Sequence, residues 1–515
     1  MSYCRTLSVL SCTILFAASA CTPDQPGVPL ERAEADLRFL SNDLLEGRGT
    51  PSRGLDIAAL YLANQLRAAG WTPPANGDYL QPYEVGVFNP AAAEIQVSIN
   101  GIPLEESQYI FVSFGLRPEE TPVEYDMVMA GYGVSIPERE VDDFHDLDVA
   151  GKAVVAFHGA PWELEPNTMQ APDRSGGKGT GAALRGADMF LYVTEEFSPE
   201  FPGTPDPEVD FLNNYAQVTL TQLIENPKTA AFTVPFLVLG PEGFDQTLAE
   251  KAGGTYAEIQ ARLATGEFVA AEIPATIRIE VNVENVRGLA SNVVATLPGT
   301  DSELRDEWVI LTAHYDHLGA YDAPPGEDGI FNGADDNASG TAAVLEVARR
   351  LAASGELKRS VAVAFFSGEE MGLLGSAHYS EHPPVPIDQT VLCINVDGVG
   401  RSEGTVEALT PGSEELERTA IRLGRGLGFR VLPDQQPNVH WIYYLDSYHF
   451  AKQDVPSISF SAAGNDDYHQ PSDEVGKIRF EEFNQIVDVI EALAKHYAGG
   501  SALPTYARPR WFLMR

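Results

Sequence analysis

Four runs in the second half of the chain, "EWVILTAHYDH", "SVAVAFFSGEE", "VLCINVDG" and "VPSISFSAAG", each begin apolar and end polar. A strand that is apolar throughout, not at alternate positions, is buried on both faces. Between the first two runs lies "SGTAAVLEVARRLAAS", with Val344, Val347, Ala348 and Leu351 on one helical face and Ser339 as the expected N-cap. Such strands alternating with amphipathic helices predict an α/β fold: a mixed, mostly parallel sheet between two helical layers. Ligands of such sheets bind beyond the carboxyl ends of the strands. The polar clusters of this sequence sit at those ends.

At 515 residues the chain is too long for one core. Helical periodicity dominates residues 31–70, where Leu55, Ala59, Leu62 and Leu66 share a face and Gly70 is the expected stop. Residues 95–275 change character, with short β-prone runs such as "EIQVSI", "AVVAFHG" and "MFLYVTEE" separated by Pro, Gly and acidic loops. The expected organisation is a main domain over 31–94 and 276–498, a β-rich insertion over 95–275, and a tail over 499–515.

The N-terminus, "MSYCRTLSVLSCTILFAASAC", sets one arginine before an apolar run too short to span a bilayer. This is the pattern of an export signal, over residues 1–20. Its end, "ASAC", resembles a bacterial lipoprotein signal with Cys21 as the lipidated residue, although Ala18 stands where a leucine is usual. A periplasmic or outer-membrane-anchored lipoprotein is expected, with simple secretion as the alternative. Residues 21–30, proline-rich, read as a tether. Once Cys4 and Cys12 leave with the signal, only Cys21 and Cys393 remain, so no disulfide framework is expected. A formal charge of −40, from 74 acidic against 34 basic residues, argues against nucleic acid or an anionic membrane surface as a partner.

The strand-end clusters hold His314, Asp336, the pair Glu369 and Glu370, Asp397 and His469. Two histidines and three carboxylates, with one glutamate to spare, suit a pair of divalent zinc-like ions. Together these blocks resemble the zinc aminopeptidase family M28, di-zinc exopeptidases, in the subgroup with an inserted protease-associated (PA) domain. The resemblance covers most of residues 31–495. The insertion contributes "FHDLDVAGKAVVAFHG" followed by "KGTGAALRGADMFLYV", which are similar to a PA domain.

The resemblance implies that His314 and Asp397 hold one zinc, Glu370 and His469 the other, and that Asp336 bridges both. It also implies a cis peptide between Asp336 and Asn337. Glu369 would be the general base, leaving Glu370 as the ligand. Tyr468 matches a position where some members use a phenol to stabilise the oxyanion, the alternative being an aromatic pocket wall. On an extended chain His314 and Asp316 point the same way, while His317 points oppositely or lies past the strand, so Asp316 is expected to fix the His314 ring and His317 to be structural. Asp446 is expected as a supporting partner of His469, and His440 and His449 as solvated or structural. The segment "LEGRGTPSRG" recurs in this subgroup and reads as a loop leading into a helix near the site.

The activity implied is removal of N-terminal residues from peptides. Carboxypeptidase or dipeptidase action on the same site is the first alternative. Glutaminyl cyclase is disfavoured because Tyr468, not tryptophan, precedes His469. A non-catalytic receptor is disfavoured because no ligand position is lost. Substrate preference and oligomeric state have no readable code.

Overall fold

The computed structural model describes residues 30–512, apart from 89–93, 113–120, 137–140, 163–174, 196–216, 221–233, 283–285, 321–325, 438–439, 510–511 and six single positions, 76, 268, 327, 356, 463 and 501. The export signal, Cys21 and the tether up to residue 29 lie outside the described residues. Among those described, no helix is long and apolar enough to cross a membrane. Cys393 is a buried free thiol.

Two sheets organise the chain. The first has nine strands. Its centre is a parallel set in the order Ser360–Phe366, Trp308–His314, Thr390–Val396, Ser457–Ser461, so all four carboxyl ends lie along one edge. Strands Leu80–Phe88 and Val286–Leu297 extend it on one side, antiparallel to each other. Thr405–Leu409 and Arg430–Pro433 extend it on the other.

The unbroken apolar runs follow from this position. In the strand Trp308–His314, Val309, Leu311 and Ala313 enter one core, while Ile310 enters the core on the opposite face. The strand Ser360–Phe366 divides likewise, Val361, Val363 and Phe365 to one side and Ala362, Ala364 and Phe366 to the other. Helices Leu30–Leu40, Arg53–Ala68, Gly340–Ser354 and Phe480–Gly499 cover the first face. Tyr379 and Phe450, from helices Leu374–Glu381 and Ser447–Ala451, close the second. The result is the three-layer α/β architecture.

The expected face of helix Arg53–Ala68 is buried at Leu55, Ala59, Leu62 and Leu66, and Gly70 follows it with φ +89°. Ser339 is not the cap of helix Gly340–Ser354. Its backbone is already helical, and its hydroxyl donates to the Asp335 carbonyl at 2.7 Å. Asn337 Oδ1 caps instead, accepting from Gly340 N at 2.8 Å.

The second sheet has eight strands, with Val123–Ala130, Ala153–Phe157, Met189–Val193 and Phe236–Leu239 running parallel at its centre. It keeps the chain through strand Ala270–Asn282, beyond the expected return at residue 276, because Ile277 and Ile279 are buried in the second core. The strand Gln217–Leu220, within the stretch expected for the insertion, pairs with Leu80–Phe88 in the first sheet.

Candidate metal centre

The side chains of the candidate site gather at the carboxyl ends of the central parallel strands. His314 is the last residue of its strand; Glu369 and Glu370 follow the strand Ser360–Phe366, and Asp397 directly follows Thr390–Val396. Asp336 sits in the turn before helix Gly340–Ser354, with a cis peptide to Asn337. His469 lies in the loop after the strand Ser457–Ser461.

The donor atoms converge. His314 Nε2 lies 3.2 Å from Asp336 Oδ1 and 3.3 Å from Asp397 Oδ1. His469 Nε2 lies 3.0 Å from Asp336 Oδ2 and 3.1 Å from Glu370 Oε2. Asp336 thus faces one histidine with each oxygen. Glu369 Oε2 is 4.0 Å from His314 Nε2, beside the cluster.

Asp316 Oδ1 stands 3.7 Å from His314 Nδ1, longer than a hydrogen bond, and accepts from the Glu369 backbone N–H at 3.2 Å. Asp446 is buried. Burial raises its pKa to about 7, with His314 opposing and Asp316 and Asp397 adding to the rise. The charges it feels are therefore those of the His314 side of the cluster. Tyr468 stacks on His469, with ring centroids 3.8 Å apart, and is 44% exposed. Desolvation and the carboxylates of Asp336, Glu370, Glu369 and Asp397 raise its phenol well above 10. His449 is buried, with Nδ1 3.1 Å from the Ser376 hydroxyl, and burial lowers its pKa to about 3.

The charge balance says what the cluster lacks. Burial opposes ionisation of Asp336, yet His314 and His469 hold it well below the usual carboxylate range. Burial and the neighbouring Glu370 and Asp397 charges push Glu369 well above its usual range. Burial lowers His469, but Glu370 and Asp336 outweigh it and bring the imidazole to about 10. Among the described residues no lysine or arginine forms an ion pair with Asp336, Glu369, Glu370 or Asp397. Imidazole and carboxylate donors that hold protons only against one another fit a divalent ion, which binds by displacing such protons.

Two groups of residues make contacts at this centre that the sequence did not spell out. His317 is fully buried, with Nδ1 2.5 Å from Glu370 Oε1 and 4.0 Å from Asp336 Oδ2. The strand ends at His314, so the alternation argument that turned His317 away does not reach it. The second group is "LEGRGTPSRG". Arg48 is buried and donates to the carbonyls of Tyr315 (2.8 Å), Asn332 (2.8 Å), Gly333 (3.1 Å) and Leu40. Thr50 donates to Asp316 Oδ2 at 3.0 Å and accepts from Gly368 N at 3.1 Å, tying the His314 loop to the glutamate turn. Gly47 has φ +65°, and an added Cβ would lie 2.1 Å from the Gly319 carbonyl oxygen.

Residues 292–494 match Peptidase family M28. Over 196 residues the chain is 29% identical to aminopeptidase YwaD of Bacillus subtilis (strain 168), covering 36% of this chain and 40% of that protein. It is 35% identical over 109 residues to the probable lipoprotein aminopeptidase LpqL of Mycobacterium tuberculosis, covering 21% of this chain and 19% of that protein. The matched stretches thus span less than half the length of these relatives. The aminopeptidase from Aneurinibacillus sp. strain AM-1 superposes with a TM-score of 0.54 over 94% of this chain and 97% of its own, at 20% identity, which establishes a shared fold. The candidate centre lies inside the residues that match peptidase family M28.

Proposed function

We propose that this protein is an exported zinc aminopeptidase that hydrolyses N-terminal residues from peptides. The observation that carries this reading is the buried cluster at the strand ends, where Asp336 faces a histidine with each oxygen and Glu369 stands beside the donors. On this reading His314, Asp336 and Asp397 hold one zinc, and Asp336, Glu370 and His469 hold the other. When bound, the pair supplies Lewis-acid chemistry, lowering the pKa of water and polarising the scissile carbonyl.

The chain's own residues do the rest. Glu369 takes a proton from the attacking water and returns it to the leaving amine; its apolar, carboxylate-crowded setting favours the protonated form needed for the second half. The Tyr468 phenol donates to the developing oxyanion, next to carboxylates that keep it protonated. Asp316 positions the Glu369 backbone, and Asp446 supports the His314 side. The second sheet acts as a PA-like domain that restricts access or contacts substrate. Lipidation at Cys21, in agreement with the lipoprotein named among the relatives, would hold the enzyme at a bacterial membrane surface facing the periplasm.

The test is hydrolysis of aminoacyl-p-nitroanilides, free and N-acetylated, by zinc-loaded protein and its Glu369→Gln variant. The expected result is cleavage of the free-amine substrates alone, with kcat lowered about 100- to 10,000-fold in the variant while metal content is retained. Cleavage of blocked substrates, or equal rates in the variant, would overturn the reading and favour another hydrolysis on the same residues.

A further inference from the structure

We propose that His317 is a metal ligand, so that the two metal positions are unequal: four side chains at one (His317, Asp336, Glu370 and His469) and three at the other (His314, Asp336 and Asp397). The inference rests on the two-metal reading above.

Four donor atoms, one from each residue of the first set, all lie within 4.8 Å of one another, and all four residues are buried. His317 and His469 bracket the same carboxylate pair. His469 Nε2 is 3.0 and 3.1 Å from Asp336 and Glu370; His317 Nδ1 is 4.0 and 2.5 Å from the same two. Donors around a tetrahedral ion with bonds of about 2.0–2.1 Å are about 3.3 Å apart. These four distances straddle that value.

The ring is also held in place. The His317 backbone N–H donates to the Arg48 carbonyl at 3.2 Å, and the ring meets that of His469 edge-on at 5.6 Å. Gly333, at φ +54°, lies against the imidazole, so that an added Cβ would come within 2.6 Å of it. A histidine needed only to fill space would not be fixed with a ring nitrogen facing two carboxylates. Four protein ligands close a coordination shell in the manner of a structural site, and three leave room for water or substrate. The His317 position therefore fills first and exchanges slowly, while the His314 position loads second and stays open.

The experiment is stepwise metal titration of the full chain against a chelator, with Zn2+ for affinity and Co2+ for the visible spectrum of each equivalent. Wild-type protein is compared with His317→Ala, His317→Gln and His314→Ala. The expected result is loss of about 100-fold in the tighter affinity, and of the first-equivalent spectrum, in both His317 variants. His314→Ala should weaken only the second equivalent. Glutamine keeps an N–H toward Glu370, so recovery of wild-type affinity in His317→Gln would overturn ligation in favour of a positioning role. Unchanged affinities in both His317 variants, judged by circular dichroism to be folded, would overturn it outright. Wild-type protein that binds no metal would sink the two-metal reading itself.

Discussion

The strand Trp308–His314 of the first sheet ends in a buried imidazole that faces carboxylates. The strand Ala153–Phe157 of the second sheet, also central and parallel, ends in carbonyls that face a buried ammonium. There Lys178 Nζ donates to Phe157 O at 3.0 Å and Gly159 O at 2.7 Å, between the rings of Tyr132 and Tyr192. Both edges lie where an open α/β sheet offers a ligand site. In the second sheet a lysine from helix Ser175–Leu184 has met the polar demand of the strand end. In the first sheet the demand is left as an excess of carboxylates. The difference separates an edge that is complete as a folded polypeptide from one whose donors fit an added cation.

Arg48 sharpens this contrast, because it is the Lys178 device transplanted beneath the first edge. Its guanidinium is aimed at four carbonyls, not at the cluster; burial lowers its pKa to about 10 while the charges of Asp316, Asp336, Asp473 and Glu370 oppose that fall. Arg48→Met would leave buried acceptors unpaired. The expected cost is about 4 kcal/mol, from a penalty of about 1–3 kcal/mol per unsatisfied buried group with partial relaxation. Two of those carbonyls, on Tyr315 and Gly333, adjoin the loops carrying His314 and Asp336. Metal affinity should therefore fall together with stability. Chemical denaturation of the metal-free variant, followed by zinc titration, measures both. Arg48→Lys should not rescue, since one ammonium cannot reproduce the planar fork.

The matching change in the second sheet is smaller. Lys178→Met removes two donors from buried carbonyls while keeping most of the apolar stem, so a loss of about 2 kcal/mol is expected. Zinc affinity and kcat should not move. If Lys178→Met weakened metal binding as much as Arg48→Met does, the two edges would be energetically one, and the contrast would be wrong.

What could be read in the sequence follows the same division. Strands apolar at every position announce burial on both faces, and residues such as His314 and Asp397 are legible because each ends or follows such a run. Features fixed by distant partners were not. Arg48 meets Tyr315 and Gly333 more than 250 positions along the chain. His317 lies past the end of its strand, where the period of two no longer applies. Ser339 sits two residues too late to cap, because its backbone is already helical and Asn337 Oδ1 reaches Gly340 N. The second sheet's hold on residues up to Asn282 depends on pairing with Glu94–Ile99 and Val123–Ala130, which local propensity does not encode.

A side-chain hydrogen bond joins the two regions, and the smallest expected effect lies there. Thr180 Oγ1, on the helix that carries Lys178, lies 2.8 Å from Tyr444 Oη in the first region. Tyr444 is two residues from the buried Asp446, and Leu184 of the same helix packs on the cluster of Ile442, Tyr443 and Tyr448. Thr180→Val and Tyr444→Phe should each cost about 1 kcal/mol or less, and the double variant should cost little more than either, since both remove the same bond. Hydrogen exchange over residues 441–446 should quicken in all three proteins. Zinc affinity should stay at its wild-type value, because no metal-facing donor contacts this bond. A tenfold loss of zinc affinity in Thr180→Val would instead mean that the completed edge of the second sheet holds the incomplete edge of the first in its metal-ready shape.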